Sequence, residues 1–333
     1  MYQGSDIQHA VQVLRAGGLV AFPTETVYGL GADAENAMAV AQIFAAKGRP
    51  LGHPLIVHLD EVASLAAWAR DVPHLAWRLA ERFWPGPLTL ILYRQARIPD
   101  IVTGGLETVG LRVPSHATAR ALLRAFGGGV AAPSANRFGR VSPTTAEDVR
   151  EELGAAVHYI LTGGPCDVGL ESTIVDLSSA APAILRPGGV TQEALEEVLQ
   201  QPVPIRTGGS VRSPGQLASH YAPRARVVLA SPHTLPAQAA ALQAEGLRVA
   251  VLTHAEQPAV PPGVATFALS ATPEEVARVL YTTLREIDRQ GFDAVLVCLP
   301  PEQGLGLAIA DRLRRAAGPR GGQECAMDSS TRP

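Results

Sequence analysis

The feature that most constrains the fold is the repeated alternation of short apolar runs with helix-like segments. Apolar runs such as Leu19–Phe22, Leu88–Tyr93 and Val249–Thr253 are bounded by proline, glycine or polar residues. Segments such as Asn36–Lys47 and Glu274–Arg289 lie between them and carry apolar residues at helical spacing. Strands that alternate with helices pack the helices onto a sheet, so the pattern predicts an α/β protein.

A stretch rich in proline and glycine divides this pattern in two. Residues 201–224 hold four prolines and three glycines and show no apolar periodicity, which is typical of a linker or a wrapped loop. A chain of 333 residues has room for two domains. We therefore predict a first domain over residues 1–200, the linker, a second domain over residues 225–318 and a disordered tail over residues 319–333.

Composition excludes several classes of protein. The formal net charge is −3, with 18% charged and 5% aromatic residues, so the chain lacks the field and the aromatic platform that favour stable nucleic-acid binding. Cys166, Cys298 and Cys325 are widely spaced, which predicts reduced thiols and neither a disulfide framework nor a zinc site. Neither a signal peptide nor a membrane-spanning apolar stretch is recognisable. We expect a soluble cytoplasmic protein that does not bind membranes.

The basic residues are 27 arginines and a single lysine, Lys47, in the run Lys47-Gly48-Arg49. This run lies where a predicted helix ends, and the helix dipole alone favours cations there. However, lysine is a compact point charge and arginine a planar fork, and phosphate sites often use one of each. A lysine kept in an otherwise lysine-free chain therefore indicates a role for Lys47 with phosphate.

Sequence signatures of common enzymes are absent or weak. The run Gly29–Ala34 fits the dinucleotide fingerprint GxGxxG/A, but the polar segment Pro23–Tyr28 separates it from the preceding strand. We interpret these glycines as a tight loop between a strand and a helix, with a nicotinamide site as the weaker alternative. The chain has no GxxxxGK[ST], HExxH or GxSxG pattern, so it offers no candidate for P-loop, zinc-hydrolase or serine-hydrolase chemistry.

Polar loops follow several of the apolar runs. They are Ala132–Asn136, Gly169–Thr173 and Leu185–Gly189. Ligands of open α/β sheets bind at the carboxyl ends of strands, so we expect these loops to converge with Pro23–Tyr28 on one crevice. They supply hydroxyls, amides and cations with few carboxylates, which favours an anionic ligand. Seven arginines between Arg94 and Arg140 allow a second hypothesis, a non-catalytic RNA-binding module.

The ordered motifs of the chain resemble those of the YrdC-type threonylcarbamoyl-AMP synthases. The motifs of the first part are Pro23–Gly31, Lys47–Pro50, Pro54–His58, Phe83–Gly86, Pro133–Asn136 and Glu171–Thr173. Ser213–Gly215, His220–Pro223, Gly304–Gly306 and Ala308–Ile309 are similar to the long form of that family. The resemblance implies an N-terminal YrdC-like twisted open α/β sheet domain and a smaller Rossmann-like C-terminal α/β domain.

The resemblance also implies a nucleotidyltransferase reaction. L-Threonine, bicarbonate and ATP give threonylcarbamoyl-adenylate and pyrophosphate, and a downstream tRNA threonylcarbamoyl transferase machinery uses the adenylate to make threonylcarbamoyladenosine in tRNA. The substrate carbamate is its own nucleophile, so positioning and charge neutralisation must do most of the catalysis. Magnesium is expected with the ATP phosphates. The sequence shows no carboxylate cluster for it, so we predict no metal site in the protein.

Roles of individual residues follow from the matching motifs. Lys47 and Arg49 are expected to neutralise the ATP phosphates as the catalytic cations. The expected threonine-binding residues are Thr26, His58, Arg112, Ser134 and Ser172, and the expected ATP-binding residues are Arg49, His53, Thr108, Asn136, Thr144, Arg186 and Tyr221. His53 stands where we expect the family to have a small amide or hydroxyl residue. Tyr221 makes the linker a predicted lid over the nucleotide.

Overall fold

Two β-sheets organise the protein in its computed structural model, which describes residues 2–206, 214–215, 219–253, 260–270 and 272–319. The strands are β1 (Tyr2–Gly4), β2 (Val20–Phe22), β3 (Gly29–Asp33), β4 (Ile56–His58), β5 (Leu88–Tyr93), β6 (Thr108–Arg112), β7 (Val130–Ala131), β8 (Tyr159–Leu161), β9 (Thr173–Asp176), β10 (Ala183–Arg186), β11 (Arg226–Ala230), β12 (Val249–Thr253), β13 (Ala265–Ala268) and β14 (Ala294–Cys298). The first ten form one sheet and the last four another.

Helices cover both sheets, which confirms the predicted α/β class. They are α1 (Ile7–Arg15), α2 (Ala37–Lys47), α3 (Leu65–Trp68), α4 (His74–Phe83), α5 (Asp100–Thr103), α6 (Ala117–Phe126), α7 (Ala146–Leu153), α8 (Gln192–Leu199), α9 (Leu235–Ala244), α10 (Pro273–Arg289) and α11 (Leu305–Ala316). None of the helices within the described residues is long and apolar enough to cross a membrane.

The larger sheet is mixed, with the strand order β1-β8-β2-β3-β7-β4-β6-β5-β9-β10. Strands β4 and β6 run parallel in its centre, and β5 and β10 run antiparallel to their neighbours β6 and β9. Loops that follow some strands therefore meet loops that precede others at the same edge of the sheet. This mixture decides which loops reach the site.

Capping residues set the ends of α2, the helix that delivers the lysine motif. The Asn36 side chain accepts hydrogen bonds from the backbone N–H groups of Met38 and Ala39, both at 3.1 Å. Gly48 ends the helix in the left-handed region, with φ of 61°. The helix thus stops between Lys47 and Arg49, and the two cations leave it in different directions.

The interpretation of Gly29–Ala34 as a loop is wrong, because Gly29–Asp33 forms β3 between β2 and β7. A Cβ atom on Gly31 would lie 2.8 Å from side-chain carbons of both Phe22 and Val130. The glycine is therefore required by close packing across the sheet, and the fingerprint-like spacing has no relation to a dinucleotide.

Short elements account for the remaining differences from the predicted pattern. Strands β1 and β13 and helix α5 each have three or four residues, too few to show a periodicity. Between β4 and α4 the chain forms a 3₁₀ turn followed by α3. Cys325 and all but the first residue of the predicted tail lie outside the described residues.

The smaller sheet is entirely parallel, with the order β11-β14-β12-β13. Successive side chains of a strand point to opposite faces, and β12 shows this clearly. Val249 and Val251 pack with α9, whereas Ala250 and Leu252 belong to the cluster that includes α10 and α11. Helices on both faces of a parallel sheet make this a Rossmann-like domain, as predicted.

The core of the second domain extends into the first. Val27, Val141 and Leu170, from loops of the first domain, pack in the same buried cluster as residues of α10 and α11. Linker residue Tyr221 belongs to this cluster as well. The face of the second domain formed by α10 and α11 therefore supports the loops of the first.

Candidate active site

A pocket of about 550 Å³, including the part open to solvent, lies at the ends of β4 and β6. Its lining is formed by Thr24, Thr26, Val27, Gly29, Arg49, Ile56, His58, Arg112, Ala132, Pro133, Ser134, Glu171, Ser172, Arg186, Pro214, Gly215, His220 and Tyr221. The four polar loops therefore converge on the pocket as predicted, although one of them reaches it before a strand and not after one. Glu171 and Ser172 precede β9, and they reach the site because the sheet is mixed.

Arg112 lies at the centre of one wall and is only 4% exposed. Its Nη1 donates a 3.0 Å hydrogen bond to Thr26 Oγ1, and its Nε donates to the Gly86 carbonyl at 3.3 Å. Nη2 lies 2.7 Å from a carboxylate oxygen of Glu25. These three contacts hold the guanidinium rigidly, with N–H groups left over for a ligand carboxylate.

His58 lies beside Arg112 because the parallel pairing of β4 and β6 puts the two residues in register. Burial, followed by the charge of Arg112, lowers the pKa of His58 to about 3. Its Nδ1 is buried without a hydrogen-bond partner among the described residues. A neutral imidazole next to a guanidinium can accept or donate one hydrogen bond to a ligand without adding charge.

The two cations after α2 have different surroundings. Arg49 lines the pocket, donates from Nη2 to the Pro54 carbonyl at 3.0 Å, and lies over the Phe138 ring at 5.6 Å. Burial lowers its pKa to about 10, so it stays charged near neutral pH. Lys47 lies behind the wall, and its Nζ donates to the carbonyls of Ser134 and Asn136. Lys47 therefore holds the loop that carries Ser134.

Arg186 forms the opposite wall. Its Nε and Nη2 donate to the Ser172 carbonyl at 3.1 and 2.8 Å, and Nη2 also reaches Ser172 Oγ at 3.1 Å. Its Nη1 donates to the carbonyl of Pro214 in the linker at 3.2 Å. Ser172 Oγ also pairs with Thr89 Oγ1 at 2.8 Å. The arginine thus joins the loop before β9 to the linker.

The linker covers the pocket with His220 and Tyr221. Tyr221 has a φ of 60°, is 1% exposed, and its hydroxyl has no hydrogen-bond partner among the described residues. Burial lowers the pKa of His220 to about 3, against the opposite influence of Glu171. A Cβ on Gly215, whose φ is 84°, would come within 2.2 Å of the Tyr221 hydroxyl oxygen. Glycine at 215 is therefore needed for the linker to close over the tyrosine.

Five predicted site residues do not line the pocket. Lys47 and Asn136 lie behind it, and Asn136 donates from its amide to the carbonyls of Arg137 and Arg140. Thr144 Oγ1 pairs with Thr282 Oγ1 of the second domain at 3.1 Å. The His53 ring packs 5.3 Å from that of Phe138.

Thr108 lies at the opposite end of a strand that reaches the pocket. It opens β6 and pairs with Tyr93, whereas Arg112, at the other end of the same strand, lines the pocket. Four residues of strand separate the two by about 13 Å. The remaining predicted residues, Thr26, Arg49, His58, Arg112, Ser134, Ser172, Arg186 and Tyr221, all line the pocket.

Some residues of the site were not assigned a role by sequence reasoning. Glu171 and His220 occur within recognised motifs, so their motifs were the available signal. Glu171 accepts hydrogen bonds from Ser142 Oγ at 2.6 Å and from Tyr281 and Arg312 of the second domain. Tyr281 and Arg312 lie on amphipathic helices, where nothing in the sequence separates them from ordinary core or surface positions.

The arginines between Arg94 and Arg140 do not form one cationic face. Arg94 pairs with Asp100 and Glu107, and Arg97 pairs with Glu35. Arg112 is enclosed in the pocket wall. These three of the seven arginines therefore do not contribute to an exposed cationic surface, which weakens the hypothesis of an RNA-binding module.

Metal ligands are also scarce. Within the described part of the chain, no group of three or more His, Cys, Asp or Glu side chains could hold a metal ion. Glu171, the carboxylate among the described lining residues, is already occupied by three donors. The residues present therefore do not fit a resident magnesium site.

Comparisons with known proteins agree with this geometry. A family model described as "Telomere recombination" matches residues 12–188, and one described as "Threonylcarbamoyl-AMP synthase, C-terminal domain" matches residues 190–318. The threonylcarbamoyl-AMP synthase of Pyrococcus abyssi is 42% identical over 325 residues, 94% of each chain. That of Bacillus subtilis is 43% identical over 324 residues, 94% of this chain and 93% of the relative.

A solved structure is similar over the whole fold. The crystal structure of P. abyssi Sua5 complexed with L-threonine superposes with a TM-score of 0.89 at 39% identity, covering 95% of this chain and 97% of that one. The similarity therefore includes both sheets and the packing between them.

Proposed function

The chain belongs to the threonylcarbamoyl-AMP synthase family in its two-domain form, and from this we propose how its pocket carries out the reaction. The substrates are L-threonine, bicarbonate and ATP, and the products are threonylcarbamoyl-adenylate and pyrophosphate. We propose that all three substrates meet in the pocket beneath Tyr221.

The observation that carries this proposal is the convergence of three buried arginines, Arg49, Arg112 and Arg186, on one small pocket. Burying a charge costs several kcal/mol unless a partner compensates it. Among the described lining residues the carboxylate of Glu171 offsets one positive charge, and Glu25 behind the wall offsets another. The surplus favours a polyanionic occupant such as a nucleotide together with an amino-acid carboxylate.

The positions of the arginines suggest two subsites. Arg112 is oriented by Thr26 and Glu25 and is surrounded by His58 and Thr26, which suits a carboxylate, an amine and a hydroxyl of threonine. Arg49 and Arg186 lie near the linker, which suits the phosphates of ATP. The predicted roles of His53, Asn136, Thr108 and Thr144 toward ATP stay predictions, and their positions outside the lining do not support direct contact.

The chemistry needs no nucleophile from the protein. The threonine amine takes up the bicarbonate carbon with loss of water, which gives a carbamate. A carbamate oxygen then attacks the α-phosphorus of ATP, and the bond to the β-phosphate oxygen breaks to release pyrophosphate. The protein contributes orientation of the two substrates and positive charge opposite the developing negative charge.

The linker protects the product. A carbamoyl-phosphate anhydride is easily hydrolysed, so the pocket must exclude water during its lifetime. Pro214, Gly215, His220 and Tyr221 cover one side of the pocket, and Arg186 ties Pro214 to the loop of Ser172. Release of the product then requires this segment to open.

Three further properties of the reaction are part of the proposal. Magnesium enters with ATP, bound by phosphate oxygens and water, since the described residues offer no ligand cluster. The product passes to a tRNA threonylcarbamoyl transferase. We place the reaction in the cytoplasm, which agrees with the free thiols of Cys166 and Cys298.

The test is pyrophosphate release by the purified full-length protein. We expect release from ATP only when L-threonine and bicarbonate are both present, with threonylcarbamoyl-adenylate detected by mass spectrometry. Omission of either cosubstrate is the internal control. Release that is indifferent to threonine or to bicarbonate would contradict the proposal.

A further inference from the structure

Arg312, on helix α11 of the second domain, contacts three separate parts of the pocket wall although it is 1% exposed. Its Nε donates to Glu171 Oε2 at 2.7 Å, and its Nη2 donates to the Pro187 carbonyl at 2.9 Å. Its guanidinium also lies 5.1 Å from the centre of the Tyr221 ring. One side chain from outside the first domain therefore joins the loop before β9, the loop after β10 and the linker.

Two of the three groups that donate hydrogen bonds to the Glu171 carboxylate belong to the second domain. Its carboxylate accepts from Arg312 Nε and from the Tyr281 hydroxyl at 2.9 Å, both in the second domain, and from Ser142 Oγ. Burial alone raises the pKa of Glu171, but the charges of Arg312 and Arg186 and the bond from Ser142 outweigh it and lower the pKa to about 2. The carboxylate is thus kept ionised inside the wall.

The position of Glu171 affects the position of Arg186, one of the groups proposed to bind ATP. Ser172 follows it in the chain, and the Ser172 carbonyl and hydroxyl orient Arg186. Tyr221 is held between the Arg312 guanidinium and the Tyr281 ring, which stacks at 6.0 Å and 23°. A shift of Arg312 therefore displaces both the phosphate-facing arginine and the lid.

We propose that Arg312 is a positioning residue for adenylate formation, and that the second domain completes the nucleotide side of the active site through it. This inference rests on the function proposed above. Arg312 does not touch substrate; it acts by fixing Glu171, Pro187 and Tyr221. In its absence the first domain keeps Arg112, Thr26 and His58 in place but not the arrangement of Arg186 and Tyr221 that is proposed to bind ATP.

The first experiment compares Arg312→Gln and Arg312→Lys with wild type in pyrophosphate release. A misplacement of about 1 Å can cost about 100-fold in rate, so we expect kcat/KM for ATP to fall by about that factor in Arg312→Gln. Lysine keeps the positive charge but lacks the planar guanidinium that donates to both Glu171 and Pro187. Arg312→Lys should therefore lose less of kcat/KM for ATP than Arg312→Gln. The KM for threonine should change less, because only Ser172 of the expected threonine-binding residues adjoins Glu171.

Arg289→Gln is the control for loss of an arginine bridge between the domains, at a side chain that is more exposed than that of Arg312. Arg289 also bridges the domains, pairing with Asp148 at 2.7 Å and Glu151 at 2.9 Å, but it touches no lining residue. We expect this variant to keep wild-type kinetics. A fall in kcat/KM for ATP in Arg289→Gln as large as that in Arg312→Gln would show a general effect of the interface and overturn the inference.

A pH profile separates positioning from general destabilisation. The ionisable and hydrogen-bonding groups that face Glu171 are Arg312 and Tyr281 of the second domain, Arg186 at the end of β10, His220 and Tyr221 of the linker, and Ser142. Loss of Arg312 raises the pKa of Glu171. We therefore expect kcat/KM for ATP to fall at acidic pH in Arg312→Gln. Wild type and the double variant Arg312→Gln/Glu171→Gln should not show this fall.

The double variant keeps the test decisive if Arg312→Gln fails to fold. Replacing both partners of a buried ion pair is often close to neutral for stability, whereas removing one is not. We expect Arg312→Gln/Glu171→Gln to fold and to retain the loss in kcat/KM for ATP. Wild-type kinetics in that variant, or in a folded Arg312→Gln, would overturn the inference. Wild-type protein without threonine-dependent pyrophosphate release would instead refute the proposed function.

Discussion

The pocket and the interface between the domains both contain arginines, buried in the pocket and at Arg285 but more exposed at Arg289, and their charges are compensated differently in the two regions. At the interface Arg289 pairs with Asp148 and Glu151, and Arg285 pairs with Glu152. In the pocket Arg49 and Arg186 donate mainly to backbone carbonyls. Carbonyls orient a guanidinium without neutralising it, so the pocket keeps its positive charge.

Unpaired polar atoms show the same difference. Arg49 Nε, His58 Nδ1, His220 Nδ1 and the Tyr221 hydroxyl are buried at the pocket without hydrogen-bond partners in the described structure. Buried polar groups without partners are costly, so a native structure keeps them where a ligand supplies the partner. At the interface Arg285 Nε is the exception, at 3.9 Å from Asp148 Oδ1, and the other arginine contacts named above are made within the protein. The pocket leaves more such atoms, which its proposed substrates would pair. Arg112, which pairs with Glu25, has features of both regions.

Replacing Arg112 tests this comparison with the largest expected effect. Arg112→Met leaves the Glu25 carboxylate buried without its charge partner, which should lower the free energy of unfolding by about 3–5 kcal/mol. It also removes the proposed partner of the threonine carboxylate, so threonine-dependent turnover should be lost. Chemical denaturation and pyrophosphate release measure the two effects separately.

Glu25→Gln provides the control for that experiment. Combined with Arg112→Met it removes both charges, and we expect it to restore most of the stability but none of the threonine-dependent turnover. If the double variant regained activity together with stability, the role of Arg112 would be to pair with Glu25 and not to bind threonine.

Lys47 gives the next largest effect. Lys47→Ala should fold but lose about 100-fold in turnover, because the two hydrogen bonds that hold the loop of Ser134 are removed. Lys47→Arg should retain only part of the activity, since a planar fork does not fit the compact site between the Ser134 and Asn136 carbonyls. Steady-state kinetics on variants with wild-type melting temperatures test this. Wild-type turnover in both Lys47→Ala and Lys47→Arg would exclude a role of Lys47 in the reaction.

The buried histidines predict a stability that depends on pH. Unfolded histidine has a pKa of about 6.5, whereas the pKa of His58 and of His220 is about 3 in the folded protein. Below pH ~6.5 the unfolded chain binds protons that the folded chain does not. The free energy of unfolding should therefore fall with decreasing pH, by about 1.4 kcal/mol per pH unit for each histidine.

Denaturation curves between about pH 6.5 and pH 5 measure this slope before most carboxylates titrate. His58→Gln and His220→Gln should each flatten it, whereas replacement of the exposed His233 should not. A slope that neither pocket variant changes would contradict the neutral state of these histidines.

Thr144 and Thr282 offer the smallest and most specific test. Their hydroxyls pair across the interface, so Thr144→Val and Thr282→Val should each cost about 1 kcal/mol of stability and leave the KM for ATP unchanged. The motif resemblance instead places Thr144 at ATP. A rise in the KM for ATP in Thr144→Val alone would support that role, and equal behaviour of the two variants would assign Thr144 to the interface.

Sequence reasoning was most successful where local patterns suffice. The alternation of strands and helices predicted the α/β class, whereas the linker over residues 201–224 stays a prediction. Of the eight predicted residues that line the pocket, all but Arg112 and Arg186 belong to the short motifs quoted for the family resemblance. The Gly29–Ala34 run was misinterpreted because a glycine needed by packing against Phe22 and Val130 has the same spacing as one needed by a phosphate.

What the sequence by itself determined is the inventory of the site: which loops are polar, where the helix with Lys47 ends, and which cations are available. What only the tertiary structure decided is the partner of each group. It placed Lys47 behind the pocket wall, Thr144 against Thr282, and Arg312 against Glu171. Arg312 and Glu171 are 141 residues apart in the chain, so no pattern of helix or strand could predict their contact. The physical reason is that capping and periodicity depend on neighbours in the chain, whereas the compensation of a buried charge depends on whichever group the fold brings next to it.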